Sequence, residues 1–303
     1  MDQRIKKLEN EIKALQSDNY DTGHLEKSLN ILKKEYQSKL TPWQRVQQAR
    51  ASDRAGSKDY INEIFDDFIE FHGDRYFGDD GAIIGGIAKL NSKPVTIVGV
   101  VKGRSTEENL KAHFGMPHPE GYRKALRLMK QAEKFNRPIV TFIDTPGAFP
   151  GIGAEQRGQG EAIAQNLMQM MDLKVPSIAI ILGEAGSGGA LALAVTNQVW
   201  MLENAIYCIL SPEGFASILY KDASKAADIT ETIKITSHDM LKFGVVDEII
   251  SEAVGFEKQA EHLKKRLISE LEKMSKWNYK KIQKQRYERF RKIGEVVHVP
   301  HKK

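Results

Sequence analysis

The sequence contains a single cysteine, Cys208, among 303 residues. One cysteine can form neither an intrachain disulfide nor a zinc site made of several thiolates, and it suits a reducing compartment. Long apolar runs are lacking as well, because no stretch reaches the roughly 18 residues of a membrane-spanning helix. The N-terminus, Met1–Ile5, is charged and lacks the apolar core of a signal peptide. We therefore expect a cytoplasmic protein that does not cross a membrane.

Motifs that bind nucleotides or nucleic acids are also lacking. The phosphate-binding pattern G-x-x-x-x-G-K-[ST] is absent, so the chain has no obvious ATP site. Lys and Arg number 45 against 40 for Asp and Glu, and basic residues cluster at 33–34, 264–266 and 280–281. No aromatic-rich basic motif accompanies these clusters, so we interpret them as solvated helix faces and not as a nucleic-acid interface.

The first 58 residues show a helical pattern. Apolar residues recur at three- and four-residue steps on both sides of a break at 18–23, namely at Ile5, Leu8, Ile12, Leu15, Leu25, Leu29, Leu32 and Tyr36. This pattern predicts two amphipathic helices in an antiparallel hairpin with a narrow apolar seam. We interpret the region 1–58 as an assembly arm without chemistry of its own.

The middle region, 59–255, has the pattern of an α/β domain. Three compact apolar runs, 94–101, 138–143 and 176–182, are typical of strands buried on both faces. Between them, apolar residues recur with the spacing of one helix face, at Tyr122, Leu126, Met129, Ile163, Leu167 and Met170. The alternation predicts parallel strands joined by right-handed helical crossovers. The region 256–303 is charged and helical in pattern, and we expect a C-terminal helical extension.

Two of the predicted strands end in glycine-rich turns. The first turn covers 144–151 (Asp-Thr-Pro-Gly-Ala-Phe-Pro-Gly), and the second covers 183–190 (Gly-Glu-Ala-Gly-Ser-Gly-Gly-Ala). We expect the second turn to open a helix of small residues over 190–195. Ligands of parallel α/β sheets bind beyond the carboxyl ends of the strands. The sequence therefore predicts a functional site at these two turns.

The second turn has the composition of an oxyanion hole. Glycine allows the backbone to approach a ligand closely, and the first turn of a helix has unpaired N–H groups at the positive end of its dipole. Such donors stabilise an oxygen that becomes negative during a reaction. The alternative is that the glycines only permit tight packing of helix and strand. Ser187 does not fit a nucleophile elbow, because G-x-S-x-G requires glycine where Ala185 stands.

Two histidines flank the segment 114–117 (Phe-Gly-Met-Pro). No carboxylate near His113 or His118 has a spacing that suggests a metal site. We interpret both as loop residues and expect no metal on this chain.

Nine short stretches between residues 40 and 252 carry a resemblance to a known family. They are Thr41–Gln47, Phe71–Arg75, Phe114–Pro117, Pro119–Ala125, Ala132–Phe135, Phe142–Ala148, Glu161–Ala164, Gly186–Leu191 and Ser211–Gly214. Together, in order and without large gaps, they resemble the carboxyltransferase alpha subunits of bacterial acetyl-CoA carboxylases. A match of this extent is far more specific than any one glycine motif.

The resemblance implies a crotonase-like (ClpP-like) α/β fold of stacked ββα units, with the helical hairpin and the helical extension at its ends. It implies a transferase that moves the carboxyl group of carboxybiotin, borne by a biotin carboxyl carrier protein, to acetyl-CoA. The product, malonyl-CoA, is the first committed intermediate of fatty acid biosynthesis. The implied partners are a zinc-containing beta subunit, in an alpha2-beta2 assembly, and a biotin carboxylase component, which uses the ATP.

The resemblance also implies roles for individual residues. The backbone N–H groups of Gly188 and Gly189 hold the oxygen of biotin on which negative charge develops. The biotin pocket is expected to be lined by Gly186, Ser187, Gly147, Ala148 and Gly151. Because the implied reaction draws its base from biotin, the protein needs only to position groups and to stabilise oxyanions.

The sequence departs from the family pattern at three places. Ala185 stands where glycine is usual, and Gly-Phe-Glu-Lys at 255–258 replaces a Gly-Gly-Ala-His stretch. His113 stands where we expect asparagine. None of these changes touches Gly188 or Gly189, but they leave the preferred acyl-CoA open.

Two other functions stay open at this stage. A stand-alone crotonase-type hydratase or isomerase is one, since the segment 244–248 resembles a crotonase ending. Such an enzyme needs a positioned carboxylate base, for which Glu184 or Glu155 is the candidate. A non-catalytic divergent paralogue is the other, and the intact pair Gly188 and Gly189 argues against it.

Overall fold

Runs of apolar and β-branched residues form the central sheet of the protein, whose computed structural model describes residues 3–295. The eight strands within these residues are β1 (Asp66–Glu70), β2 (Ile83–Leu90), β3 (Lys93–Val100), β4 (Ile139–Thr145), β5 (Ser177–Gly186), β6 (Gln198–Leu202), β7 (Ile206–Cys208) and β8 (Glu248–Ile250). The sheet order is β1-β2-β3-β4-β5-β6-β8, and β7 pairs with β5. Strands β1 to β3 are antiparallel, and the pairs from β3 onward are parallel. The carboxyl ends of β3, β4 and β5 therefore lie side by side at one edge.

Helices connect and cover the strands. Within residues 3–295 they are α1 (Gln3–Ser17), α2 (Gly23–Ser38), α3 (Pro42–Ala49), α4 (Ser57–Ile64), α5 (Thr106–Lys111), α6 (Pro119–Lys134), α7 (Ile152–Gln156), α8 (Gln159–Asp172), α9 (Ser187–Ala194), α10 (Pro212–Tyr220), α11 (Ala226–Ile233), α12 (Ser237–Lys242), α13 (Phe256–Ser275) and α14 (Tyr279–Lys292). Two single 3₁₀ turns lie at His113–Gly115 and Ala223–Lys225. None of the helices in this part of the chain is long and apolar enough to cross a bilayer.

The strands predicted to be buried on both faces are confirmed. They correspond to β3, β4 and β5, and every residue of β4 is buried. Helix α6 covers one face with Leu128 and Met129, which are both fully buried. Burying apolar side chains on both faces of a sheet is what makes continuous apolar runs stable as parallel strands.

The terminal helices also match the predicted pattern. Helices α1 and α2 form the hairpin, with Ile5 and Ile12 buried in its seam and an ion pair of 2.6 Å between Lys33 and Glu9. Helices α13 and α14 form the C-terminal extension, and Leu263 of α13 packs in the core. The boundaries of the three regions stay predictions, and residues 1–2 and 296–303 lie outside the described residues.

Strand β5 is longer than the sequence predicts. Glu184, Ala185 and Gly186 continue the strand because they pair with β7, so Gly183 lies inside β5 and not in a turn. Helix α9 begins at Ser187, three residues before the predicted start. The partner strand β7 is contributed by a distant segment of the chain, which is why the local pattern did not indicate the extension.

Helix α14 is attached to the sheet through one buried cation. The side chain of Arg286 is fully buried, and its guanidinium donates to the backbone carbonyls of Met171, Leu173 and Val175 at 2.7–3.1 Å. It also donates to the side-chain oxygen of Asn197 at 2.7 Å. These acceptors lie at the end of α8, between α8 and β5, and between α9 and β6, so Arg286 joins the C-terminal extension to two connections of the central domain.

Replacement of Arg286 by alanine should lower the free energy of unfolding by about 3–5 kcal/mol, because several buried carbonyls lose a charged donor. Urea unfolding followed by circular dichroism measures the change. The matched control is Arg291→Ala, an exposed arginine in the last turn of the same helix, which should change stability by less than about 0.5 kcal/mol. Equal stability of the two variants would contradict the anchoring role of Arg286.

Candidate active site

The two glycine turns at the ends of β4 and β5 lie against each other. A Cβ atom at Gly186 would overlap the carbonyl group of Pro146. A Cβ atom at Gly189 would lie 2.5 Å from the backbone nitrogen of Ala148 and 2.7 Å from the carbonyl carbon of Gly147. Side chains do not fit at such separations, so the approach of the two turns requires glycine at both positions. The turns therefore form one continuous backbone surface.

Helix α9 begins at this surface. Ser187, its first residue, has a φ of 50°, in the left-handed region, and turns the chain sharply out of β5. The N–H groups of Ser187, Gly188 and Gly189 belong to the first helical turn, where an α-helix provides no carbonyl partner. These groups and the positive end of the helix dipole can donate to an anionic oxygen.

The first turn is held by Thr145 at the end of β4. Its hydroxyl donates to the carbonyl of Gly147 at 2.7 Å and accepts from the N–H of the same residue at 3.0 Å. Gly147 has a φ of 151°, and no other atom lies within 4 Å of its Cβ position, so one side of the turn is open. Gly151 precedes α7, and its nearest neighbour is the ring of Phe149 and not the second turn.

Tyr122 of α6 forms the wall behind Gly189. Its hydroxyl oxygen would lie 2.9 Å from a Cβ atom at Gly189, and its ring is fully buried beside Ala162 and Ala192. Burial, followed by the charge of Asp80, raises the pKa of this phenol, so it is neutral at pH 7. A residue that the sequence indicated only as part of a helix face therefore limits the depth of the site.

A charged cluster lies at the same edge of the sheet. The ammonium of Lys102, just after β3, is 2.7 Å from Asp144 Oδ1 and 3.1 Å from Glu184 Oε1. The Asp144 oxygen also accepts the backbone N–H of Glu184 at 2.9 Å. Burial lowers the pKa of Lys102, but the two carboxylates outweigh it and raise the pKa. These contacts therefore tie β3, β4 and β5 together.

Arg50 extends this cluster from the segment after α3. Its Nε lies 2.8 Å from Glu184 Oε2, and its Nη1 lies 2.6 Å from Glu213 Oε1. Burial acts to raise the pKa of Glu184, but Lys102 and Arg50 outweigh it, so the pKa lies below its ordinary value. Glu184 is therefore an ionised, doubly paired carboxylate. Glu155, the other carboxylate considered from the sequence, is exposed on α7.

A cleft of about 420 Å³ lies beside the turns. Its lining includes Arg50, Arg54, Lys102 and Asp144, but none of the glycines at 147, 186, 188 and 189. The glycine surface is therefore the open rim of the site, and the charged cleft adjoins it through Asp144.

A histidine cluster lies next to the first turn. One ligand atom each from Asp80, His113 and His118 lies within 4.8 Å of the others. The ring of His118 stacks on Phe149 with centroids 4.2 Å apart. The spacing of residues near these histidines did not indicate this carboxylate, because Asp80 comes from the loop before β2, far away along the chain. No local signal could have indicated this contact.

Nearly the whole chain matches one protein family. Residues 1–294 match the model of acetyl co-enzyme A carboxylase carboxyltransferase-like proteins. The chain is 61% identical over 249 residues to the acetyl-coenzyme A carboxylase carboxyl transferase subunit alpha of Streptococcus gordonii, with 82% of this chain and 97% of that protein covered. It is 54% identical over 268 residues to the subunit of the same name from Clostridium acetobutylicum, with coverage of 87% and 98%.

Solved structures confirm the crotonase-like fold predicted from the resemblance. A transcarboxylase 12S structure matches with a TM-score of 0.60 at 21% identity over 74% of this chain, which spans 44% of the length of that protein. A Pseudomonas malonate decarboxylase hetero-tetramer matches with a TM-score of 0.58 at 16% identity, covering 69% of this chain and 86% of the other. The fold agrees with these structures, and the sequence match is decisive: the chain belongs to the acetyl-CoA carboxylase carboxyltransferase-like family.

Proposed function

We propose that this chain is the alpha subunit of an acetyl-CoA carboxylase carboxyltransferase. It transfers the carboxyl group of carboxybiotin, borne by a separate biotin carboxyl carrier protein, to acetyl-CoA. The product is malonyl-CoA for fatty acid biosynthesis. A separate biotin carboxylase component uses the ATP. Relatives of this name that are 54–61% identical over most of their length support the proposal.

The observation that carries the proposal is the joined glycine surface at the ends of β4 and β5. A planar ring needs a surface free of side-chain atoms, and the open side of Gly147, next to the packed turns at Gly186 and Gly189, provides it. A developing negative charge needs donors that are already oriented, and the first turn of α9 provides them. These features fit the bicyclic ureido group of biotin.

The contribution of the chain to the chemistry is binding and electrostatic stabilisation. When bound, carboxybiotin supplies the CO₂ and the base for the methyl group of acetyl-CoA. The N–H groups of Gly188 and Gly189 donate to the ureido oxygen, and the pocket is lined by Gly147, Ala148, Gly151, Gly186 and Ser187. Donors fixed by the fold stabilise charge without reorganising during the reaction.

An exposed apolar surface adjoins the proposed site. Ile209 is 75% exposed, and Ile218 and Leu219 on α10 are each 61% exposed. The surface follows β7, in which Cys208 pairs with Gly186 at the start of the second turn. Exposed apolar surface of this kind marks protein contacts. We propose that it binds the zinc-containing beta subunit, which completes the site in an alpha2-beta2 assembly.

The three regions predicted from the sequence are proposed to have separate roles. Residues 1–58 serve as an assembly arm, 59–255 as the carboxyltransferase domain and 256–303 as a helical extension. We also propose a cytoplasmic location, in which the free Cys208 stays reduced.

The two carboxylates considered as bases do not support the hydratase alternative. Glu184 is held between Lys102 and Arg50 with a lowered pKa, whereas a general base is most effective with a pKa near the working pH. Glu155 is exposed to solvent on α7. The arrangement therefore favours a reaction whose base comes with the substrate.

Carboxyl transfer from malonyl-CoA to free biotin should appear only when this chain is mixed with its beta subunit. The reason is that this chain offers donors for biotin, whereas the beta subunit is proposed to complete the site. Release of acetyl-CoA, followed in a coupled assay, measures the reaction. Equal activity of the chain alone would contradict a shared site, and hydration of an enoyl-CoA by the chain alone would favour the crotonase-type alternative.

Gly189→Ala should lower kcat of carboxyl transfer by about 10²–10³-fold, because the methyl group pushes the turn at 147–148 away and displaces an oxyanion donor. The matched control is Gly160→Ala in the first turn of α8, where a Cβ atom would be exposed and would meet nothing within 4 Å, so we expect less than about a 2-fold change. Thermal unfolding and binding of the beta subunit are measured for both variants. If Gly189→Ala is folded, assembled and fully active, the proposed donor pair is wrong.

Glu184→Gln should keep carboxyl transfer within about 10-fold of wild type while lowering the free energy of unfolding by about 3 kcal/mol, because Lys102 and Arg50 lose a buried anionic partner. A lowered pKa contributes stability that is present above the unfolded value and is lost as the pH falls through the folded value. The stability difference should therefore shrink below pH 4.5, the ordinary pKa of Glu184. A loss of activity above 10³-fold at unchanged stability would instead identify Glu184 as a catalytic base.

A further inference from the structure

Two histidines and one aspartate meet beside the first glycine turn, and the proposed carboxyl transfer uses none of them. Asp80 lies in the loop before β2, His113 in the 3₁₀ turn and His118 immediately before α6. One ligand atom from each lies within 4.8 Å of the other two. The rings of the two histidines have centroids 4.1 Å apart and stand at 73° to each other.

The separation of His113 and Asp80 fits two ligands of one ion. Nε2 of His113 lies 3.6 Å from Oδ1 of Asp80, which is long for a hydrogen bond. Two ligands of a tetrahedral Zn²⁺, each with a bond of 2.0–2.1 Å, lie about 3.3–3.4 Å apart. Small side-chain adjustments would close the remaining difference.

His118 has a buried nitrogen without a partner. Its Nδ1 is inaccessible to solvent and forms no hydrogen bond with any described residue. Leaving a buried polar atom without a partner costs free energy, so such an atom calls for an explanation.

Hydrogen bonds hold the carboxylate of Asp80 in one orientation. Its side chain is fully buried, and its two oxygens accept the N–H groups of Ala82 at 2.9 Å and of His118 at 2.8 Å. Gly121 lets the carboxylate lie against α6, because a Cβ atom there would overlap Oδ2 of Asp80. Hydrogen bonds of this kind orient a ligand carboxylate before the metal arrives. His113 is one-third exposed, which leaves a path for an ion from solvent.

We propose that Asp80, His113 and His118 bind one divalent first-row metal ion, with Zn²⁺ as the best match, and that a water molecule completes the coordination. Two imidazoles and one carboxylate are ligands that Zn²⁺ accepts in tetrahedral geometry. The ion joins the loop before β2, the 3₁₀ turn and the start of α6.

The site is coupled to the first glycine turn through Phe149. The ring of this residue stacks on His118, and its backbone N–H donates to the carbonyl of Pro117 at 3.1 Å. Gln159 donates to the carbonyls of both Pro117 and Phe149, at 2.9 and 3.1 Å. Metal binding at His118 therefore restricts the segment 144–151. The role of the ion is structural, and its binding does not depend on the proposed carboxyl transfer.

The test is metal titration of the full-length chain after treatment with a chelator. We expect one Zn²⁺ per chain by calorimetry and, with Co²⁺ as a probe, the visible absorption of a tetrahedral site with nitrogen and oxygen ligands. His118→Ala and His113→Asn should each weaken binding by at least about 100-fold and abolish the Co²⁺ absorption. Zn²⁺ should raise the melting temperature of the wild type and leave that of both variants unchanged.

The matched control is His72→Asn, since His72 also lies beside carboxylates, at 2.9 Å from Asp79 and 3.8 Å from Glu70, but is exposed. This variant should bind Zn²⁺ as the wild type does. Three results would each overturn the proposal: no binding by the wild type at millimolar Zn²⁺, unchanged binding in His118→Ala, or loss of binding in His72→Asn alone. The second result would indicate that Zn²⁺ binds elsewhere on the chain and not at this cluster.

Discussion

The close approach of two backbone turns is the constraint on which the rest of the site depends. Strands β4 and β5 are parallel neighbours, so their connections to the next helices leave the sheet side by side. Side chains normally separate such connections. Gly186 and Gly189 have no side chains, so the backbone at 146–148 lies directly against the start of α9. The helix can then present its free N–H groups at the surface of the sheet edge, where a ligand can reach them.

A cluster of charged side chains next to the two turns stabilises their close approach. Asp144 and Glu184 occupy the ends of the two strands, and their mutual repulsion would drive the turns apart if both were ionised alone. Lys102 lies between them, and the N–H of Glu184 donates to Asp144. The same contacts therefore compensate the negative charge of the two carboxylates and hold β4 in register with β5. Arg50 completes the pairing from outside the sheet.

Local patterns were sufficient for much of the fold, and the position of the site stays a prediction. The apolar runs that became β4 and β5 are buried on both faces, so their composition alone distinguishes them from exposed strands. Glycines at the ends of those runs indicated the site, and the family resemblance indicated the roles of Gly188 and Gly189. Contacts between distant segments could not be predicted in this way. The pairing of β7 with Gly186, the anchoring of α14 by Arg286 and the meeting of Asp80 with His113 all depend on the assembled sheet.

The structure also indicates why such a site needs other components. Its carboxylates are paired with cations, its buried phenol at Tyr122 stays protonated, and its one cysteine has a pKa raised by burial to about 11. None of these groups is poised to take a proton near pH 7. What the glycine surface offers is a set of fixed N–H donors and a shape into which a flat ring fits. Donors alone accelerate only reactions whose bases and nucleophiles arrive with the reactants. The reaction proposed above, in which a carrier-borne group supplies the base and a second subunit brings the acceptor, has these requirements.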